Sequence, residues 1–119
     1  MARTILAVVD DMFFASKIRA TAEALGVAIS FPRTREVLLQ KAREARPDLI
    51  LIDLHHQRFD PVEAAASLKE NAELKAIPLL GFFSHVQTEL HHSAVAAGID
   101  QVVPRSVFSR DLAMILEGK

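Results

Sequence analysis

Five short apolar runs alternate with five amphipathic segments, and that order predicts an α/β fold: a (βα)5 doubly wound domain whose parallel sheet is covered by helices on both faces. Three observations carry the prediction. The runs are of strand length and rich in Ile, Leu and Val, and the segments between them repeat apolar residues every three or four positions. The alternation is also strict, which suits parallel strands because each needs a long right-handed crossover to reach the next.

Thr4 to Val9 is the first strand; Ile5-Leu6-Ala7-Val8-Val9 has no polar alternation, as in strands buried on both faces. The first helix sets Phe14, Ile18, Ala22 and Leu25 on one side and Lys17, Arg19 and Glu23 elsewhere, and Gly26 stops it. Val27 to Phe31 follows as the second strand. The second helix covers about Arg35 to Ala45 with Leu38, Ala42 and Ala45 inward, and Pro47 marks its end. Leu49 to Leu54 is the third strand, Val62 to about Asn71 the third helix, and Ile77 to Phe83 the fourth strand. A fourth helix from about Gln87 to Ala97 has Leu90, Ala94 and Ala97 as its stripe and Gly98 as its stop. Asp100 to Pro104 forms the fifth strand, and one fifth helix, Val107 to Leu116, carries Phe108, Leu112 and Ile115.

The composition excludes several classes of function. With 14 Lys and Arg against 15 Asp and Glu in 119 residues, and seven Phe as the only aromatics, there is no basic, aromatic-studded surface for nucleic acid. The absence of Cys removes disulfides, thiolate metal sites and thiol nucleophiles. Ala76 to Phe83, the longest apolar stretch, is far too short to span a membrane, and Met1-Ala2-Arg3 leads into the first strand without a signal-like segment. A cytoplasmic protein is therefore expected.

In sheets of this kind the functional site lies outside the carboxyl ends of the strands, where the strand order reverses. The loops there supply Asp10 and Asp11 after the first strand and Asp53 at the end of the third. An order of 2-1-3-4-5 brings the three together, and carboxylates about 5 Å apart repel by about 3 kcal/mol per pair at an effective dielectric of ~20. A divalent cation relieves that repulsion, and an all-oxygen donor set suits Mg²⁺. The alternative has Asp10 and Asp11 merely capping the first helix, which leaves Asp53 unexplained.

These residues resemble the receiver domain of two-component response regulators, a flavodoxin-like (βα)5 fold, over essentially the whole chain. Val8-Val9-Asp10-Asp11 is similar to the family's acidic pair, Asp48 to Leu54 to its phospho-acceptor strand, Ile77-Pro78-Leu79-Leu80 to its fourth strand, and Gly98-Ile99-Asp100-Gln101 to the approach to its fifth. The resemblance implies Mg²⁺ held by Asp10, Asp11, Asp53 and the His55 carbonyl. It implies that Asp53 takes a phosphoryl group from a histidine kinase or phosphotransfer protein, and that residues 1–119 act as a single non-enzymatic signalling unit. No output domain is expected after Lys119, so signalling by association follows. The surface of the fourth helix, fifth strand and fifth helix, with Gln87, His91, Gln101 and Arg110, would then meet a downstream protein or a second copy.

The departures from the family lie at its switch positions. Counting from Asp53 puts Phe83 where the family has Thr or Ser; Ser84 substitutes only if the strand bulges or turns early, since a one-residue slip reverses side-chain direction. Arg105 stands in place of the family's Lys and Ser106 in place of the usual Pro. Val102 takes the place of the switch aromatic, His56-Gln57 replaces Met-Pro, and Asp60-Pro61 replaces Asp-Gly. Two outcomes follow for Arg105: its guanidinium stabilises an aspartyl phosphate, or it bridges both oxygens of Asp53 and partly blocks the site. Permanent blocking would leave a phosphorylation-independent pseudo-receiver, a constitutive interaction module.

Other signals are set aside. His85, Glu89 and His92 share a helix face at i, i+4 and i+7, but a solvated polar helix is the expected reading over a transition-metal site. A flavin phosphate would be repelled by Asp10-Asp11 after the first strand, and a phosphatase with a strand-one nucleophile would want Asp where Met12 stands. Phe14 belongs in the core; Phe13 is expected to pack there too, with exposure to a helical partner as the alternative. Arg33, Arg35, Arg43 and Arg46 read as a solvated face.

Overall fold

The computed structural model describes residues 3–56, 58, 60–84 and 88–118. Its strands are β1 (Thr4–Val8), β2 (Ala28–Ser30), β3 (Leu49–Asp53), β4 (Leu79–Phe83) and β5 (Gln101–Pro104). All pairings are parallel, in the order β2-β1-β3-β4-β5. This is the expected doubly wound architecture, with its reversal of strand order between β1 and β3.

Period-two alternation divides the buried side chains between two cores. Ile5, Ala7, Leu49, Leu51, Leu80 and Phe82 face α1 (Met12–Leu25), α5 (Arg105–Arg110) and α6 (Leu112–Glu117), whose Phe14, Ile18, Ala22, Phe108, Leu112 and Leu116 complete that layer. Leu6, Val8, Ile50, Ile52 and Leu79 meet α2 (Arg35–Ala45), α3 (Pro61–Glu70) and α4 (Thr88–Ala96) through Leu38, Ala42, Ala64, Ala65, Leu68 and Ala94. No helix among the described residues is long and apolar enough to cross a membrane.

Local chemistry sets the boundaries. Thr34 caps α2 by accepting from the Val37 N–H, and Arg46 closes it in the left-handed region at φ 45°. Gly26, at φ 72°, ends α1 with its N–H shared between the Ala22 and Glu23 carbonyls, a conformation open to glycine at little cost. β4 begins at Leu79, two residues later than expected, because Pro78 has no N–H to donate to the ladder. Carboxylates tie down the strand entrances: Asp48 accepts from the Thr4 N–H at 2.8 Å, and Asp100 from the Leu79 N–H at 2.8 Å and the Lys69 ammonium at 3.1 Å.

Three expectations need correction. The single fifth helix starts earlier, at Arg105, and divides at Asp111, whose φ of −101° and ψ of 14° break the helical run while its N–H still reaches the Val107 carbonyl at 3.0 Å. Ala45, the last residue of α2 before the Arg46 cap, is exposed, and the buried positions of the helix are Leu38 and Ala42. Phe13 is 92% exposed: one residue is 100° of helix, so seating Phe14 inward turns Phe13 out.

Candidate functional site

The carboxyl ends of β1 and β3 lie side by side, Val8 in register with Ile52, so the two loops that carry the acids emerge together. Asp53 continues the face of Leu49 and Leu51 and pairs in register with Phe82. It is the one polar residue in the described core, 6% exposed. One oxygen, Oδ1, accepts from the His55 N–H at 2.8 Å. Burial raises its pKa above the ordinary carboxylate value; the His55 N–H, the charges of His55 and Arg105, and in the opposite sense Asp10, are smaller influences.

The apolar floor of the site is aromatic. Phe82 stacks on Phe108 with ring centroids 4.4 Å apart and an interplanar angle of 11°, and Phe14 meets the two at 5.3 and 5.7 Å. Over the Phe14 ring, 4.0 Å from its centroid, lies the guanidinium carbon of Arg105.

Asp11 has two tasks. Its Oδ1 caps α1 by accepting from the Phe14 N–H at 3.1 Å, and its Oδ2 accepts from Arg105 Nη2 at 3.2 Å. Both bonds favour the ionised form, the cap most, and hold its pKa below the ordinary carboxylate range. Arg105 was expected to bridge Asp53; its carboxylate partner is Asp11 instead. The Phe14 ring seats the guanidinium beside the first turn of α1, and Asp11, part-exposed, pairs there without the desolvation that a second ion on buried Asp53 would impose.

Beside Asp10 lies His56, whose Nδ1 is 3.9 Å from Asp10 Oδ2 and accepts the Arg58 N–H at 3.0 Å. A nitrogen that accepts carries no proton, so the nearer relation is the Arg58 bond and the ring is the neutral Nε2–H tautomer. Burial of the side chain lowers the His56 pKa, against the pull of Asp10 and Asp53. A cleft of about 210 Å³ bordered by Met12, Arg19, Phe31 and His56 opens beside Asp10.

Three carboxylates and a backbone carbonyl form the donor set that a hard divalent cation takes. Yet among the described residues no three acidic or imidazole side chains are gathered closely enough to hold an ion, and Asp11 is paired with Arg105. Glu89 and His92 are exposed on α4, and His85 lies outside the described residues, as do Gln57 and Gln87.

Comparison with known proteins gives two kinds of likeness. Over 75 residues, 63% of this chain, the sequence is 33% identical to response regulator protein VraR of Staphylococcus aureus; the match spans 35% of that protein, so the chain covers about a third of the length of the curated relatives. Chemotaxis protein CheY4 of Vibrio cholerae superposes with a TM-score of 0.84 at 20% identity, covering 98% of both chains. The Mn²⁺-bound form of response regulator Rcp1 superposes at 0.72 and 22% identity, covering 98% of this chain and 90% of that one. The chain has the receiver fold of response regulators. No protein-family model matches it.

Within the receiver fold, the departures take physical form. β4 ends at Phe83 without a bulge, and Phe83 turns toward the α4 side, packing on that core with its ring 6.3 Å from His91. Ser84 follows, exposed, on the next residue. Phe14 was read from the sequence only as core; that its ring would also seat a cation had no signal beyond the presence of an arginine far along the chain.

Proposed function

We propose that the domain is a phosphorelay receiver in which Asp53 accepts a phosphoryl group from a histidine kinase or phosphotransfer protein, or from a small acyl phosphate. The observation that carries this reading is Asp53 itself: a buried carboxylate at the switch-point edge, with Oδ1 held by the His55 N–H and Oδ2 taking no hydrogen bond from a described residue. Oδ2 is then the nucleophile. The P–N bond of a phosphoimidazole protonated on its other ring nitrogen breaks as the P–O bond forms, and the imidazole leaves as the neutral base with the electron pair of the broken bond. Asp10, Asp11, Asp53 and the His55 carbonyl would hold Mg²⁺, which supplies neutralisation of the phosphoryl oxygens. Arg105 and Ser84 are the candidate contacts to those oxygens on the far side.

The output in this reading is association through α4, β5 and α5, where His91, Gln101 and Arg110 are exposed. A target protein or a second copy would dock there. The Arg105–Asp11 pair favours one other reading, a constitutive interaction module whose site stays closed. Mass spectrometry after incubation with acetyl phosphate and Mg²⁺ separates the two. One phosphoryl group should add to the wild type and none to Asp53→Asn; no adduct under conditions that label other receivers would leave the constitutive module.

A further inference from the structure

We propose that the cleft beside Asp10, bordered by Arg19, Arg33 and Arg58, binds a small phosphate monoester at a site separate from Asp53. The site is built from residues that the receiver reading does not use, and it stands whether or not Asp53 is phosphorylated.

Three segments of the chain each bring one arginine to this cleft of about 210 Å³: α1 brings Arg19, the stretch between β2 and α2 brings Arg33, and the stretch after β3 brings Arg58. The carboxylate among the lining residues is Asp10, so the cleft gathers three positive charges against one negative in a chain whose net charge is −1. Like charges brought together repel, and an anion between them turns that cost into attraction.

The nearby acids are committed elsewhere. Arg35, two residues from Arg33, pairs with Glu63 across to α3, and Asp60 caps α3 by accepting from the Val62 and Glu63 N–H groups at 3.0 and 3.1 Å. Among the described residues no carboxylate pairs with the side chain of Arg33 or of Arg58. Arg19 lies over a ring instead, its guanidinium carbon 4.8 Å from the Phe31 centroid. A second cleft shares Arg33 and Arg58 but is also bordered by Glu36, Asp60 and Glu63, which would repel an anion. The anion therefore belongs on the Asp10 side.

Guanidinium groups select the kind of anion. Their planar forks donate two parallel N–H bonds to a phosphate, and a phosphate monoester carries nearly two charges at neutral pH, enough to engage more than one arginine. The rest of the lining is apolar: half-buried Phe31, buried Pro32 and the exposed Met12 offer a surface for the organic part of an ester. The volume lies below the ~300–1,000 Å³ usual for drug-sized ligands, so that part is a single small ring or a short chain.

The test is titration of the metal-free full chain with phenyl phosphate at low salt, followed by ¹⁵N backbone spectra, in wild type, Arg33→Gln, Arg58→Gln, the double variant and Asp53→Asn. Inorganic phosphate and a hexaglutamate peptide serve as comparison probes. Saturable shifts are expected at Phe31, Arg33, Arg58 and the first two turns of α1, and Asp53→Asn should bind as wild type does. Each single arginine exchange should weaken binding about threefold and the double exchange about tenfold. Phenyl phosphate should bind at least about threefold more tightly than inorganic phosphate, through the ring buried on Phe31 and Met12. Absence of saturable shifts, affinity indifferent to both arginines, or shifts centred on Asp53 and lost in Asp53→Asn overturns the proposal. So does equal affinity for the two phosphates. Tighter binding of hexaglutamate than of phenyl phosphate also overturns it, making these arginines a contact for an acidic protein segment. Arg33→Lys and Arg58→Lys, which keep the charge and lose the fork, carry the comparison should a Gln variant fail to fold, each with weaker binding than wild type expected and unchanged binding contrary to the proposal.

Discussion

Asp11 offers a separation of two contributions that usually travel together. Replacing it with Asn removes the ionised partner of Arg105 but keeps a side-chain oxygen that caps helices as well as Asp does, whereas Ala removes both. The ion pair joins side chains 34% and 38% exposed at 3.2 Å, so solvent screens it to ~0.2–1 kcal/mol. The cap contributes about 1 kcal/mol. Asp11→Asn should therefore cost at most about 1 kcal/mol and Asp11→Ala about 1–2 kcal/mol. At roughly 4 °C per kcal/mol for a domain of this size, the melting temperature should fall by no more than about 4 °C for Asn and by about 4–8 °C for Ala. Thermal unfolding at pH 7 in low and in 1 M salt measures both: salt should shrink the gap between wild type and Asn and leave the gap between Asn and Ala in place. The pH dependence has a defined sign. The Asp11 pKa is depressed in the folded state, so its ionic contribution is present above the ordinary carboxylate value of 3.8 and is lost as pH falls through the lower folded value. Equal destabilisation by Asn and Ala would refute the assignment of the cap, and an Asn–Ala gap that collapses in salt would refute the division between cap and ion pair.

Two further variants probe the floor and the acceptor. Asp53→Asn should raise the melting temperature at pH 7, because burial penalises the charged carboxylate while the amide oxygen still accepts from His55; the folded pKa lies above 3.8, so the gain should shrink as pH falls through the folded value and vanish below 3.8, and a gain that grows on acidification would contradict it. Phe108→Ala, which empties a fully buried position stacked on Phe82, should cost ~3–5 kcal/mol in denaturant unfolding, a large share of the ~6–18 kcal/mol expected of a chain this long; a loss under ~1 kcal/mol would mean that the ring does not fill the core as described.

Backbone and side-chain reach were not equally legible in the sequence. The bounds of α2 follow from Thr34 and Pro47, local signals that act within a few residues, and α2 runs over the expected span. Asp53 was placeable because strand alternation has no slack: from Leu49 and Leu51 the next inward residue is 53, whatever the rest of the chain does. Asp111 shows the opposite case, since Phe108, Leu112 and Ile115 keep helical spacing across a break whose hydrogen bonds nearly continue. Arg105 bonds Asp11 and its charge is also felt by Asp53, and periodicity says nothing about which acid a flexible arginine reaches. That choice was made by Phe14, a residue 91 positions away whose side chain reads from the sequence simply as core.

The aromatic floor links the two unusual properties of this site. Phe82, in register with Asp53, and the rings stacked against it keep water from the buried carboxylate, and that desolvation is the leading influence on Asp53. The third ring of the same cluster carries Arg105 and so brings a fixed positive charge to Asp11. A lysine at 105 would meet the same floor with a point charge that gains more from water than from a ring face, and would leave Asp11 more readily. Arginine at 105 and phenylalanine at 14 consequently act as a unit, so exchanging either alone measures the loss of the pair and not the property of one residue. Changing both together, as Phe14→Leu with Arg105→Lys, should cost less than the sum of the two single exchanges, because the second removes an interaction that the first has already broken.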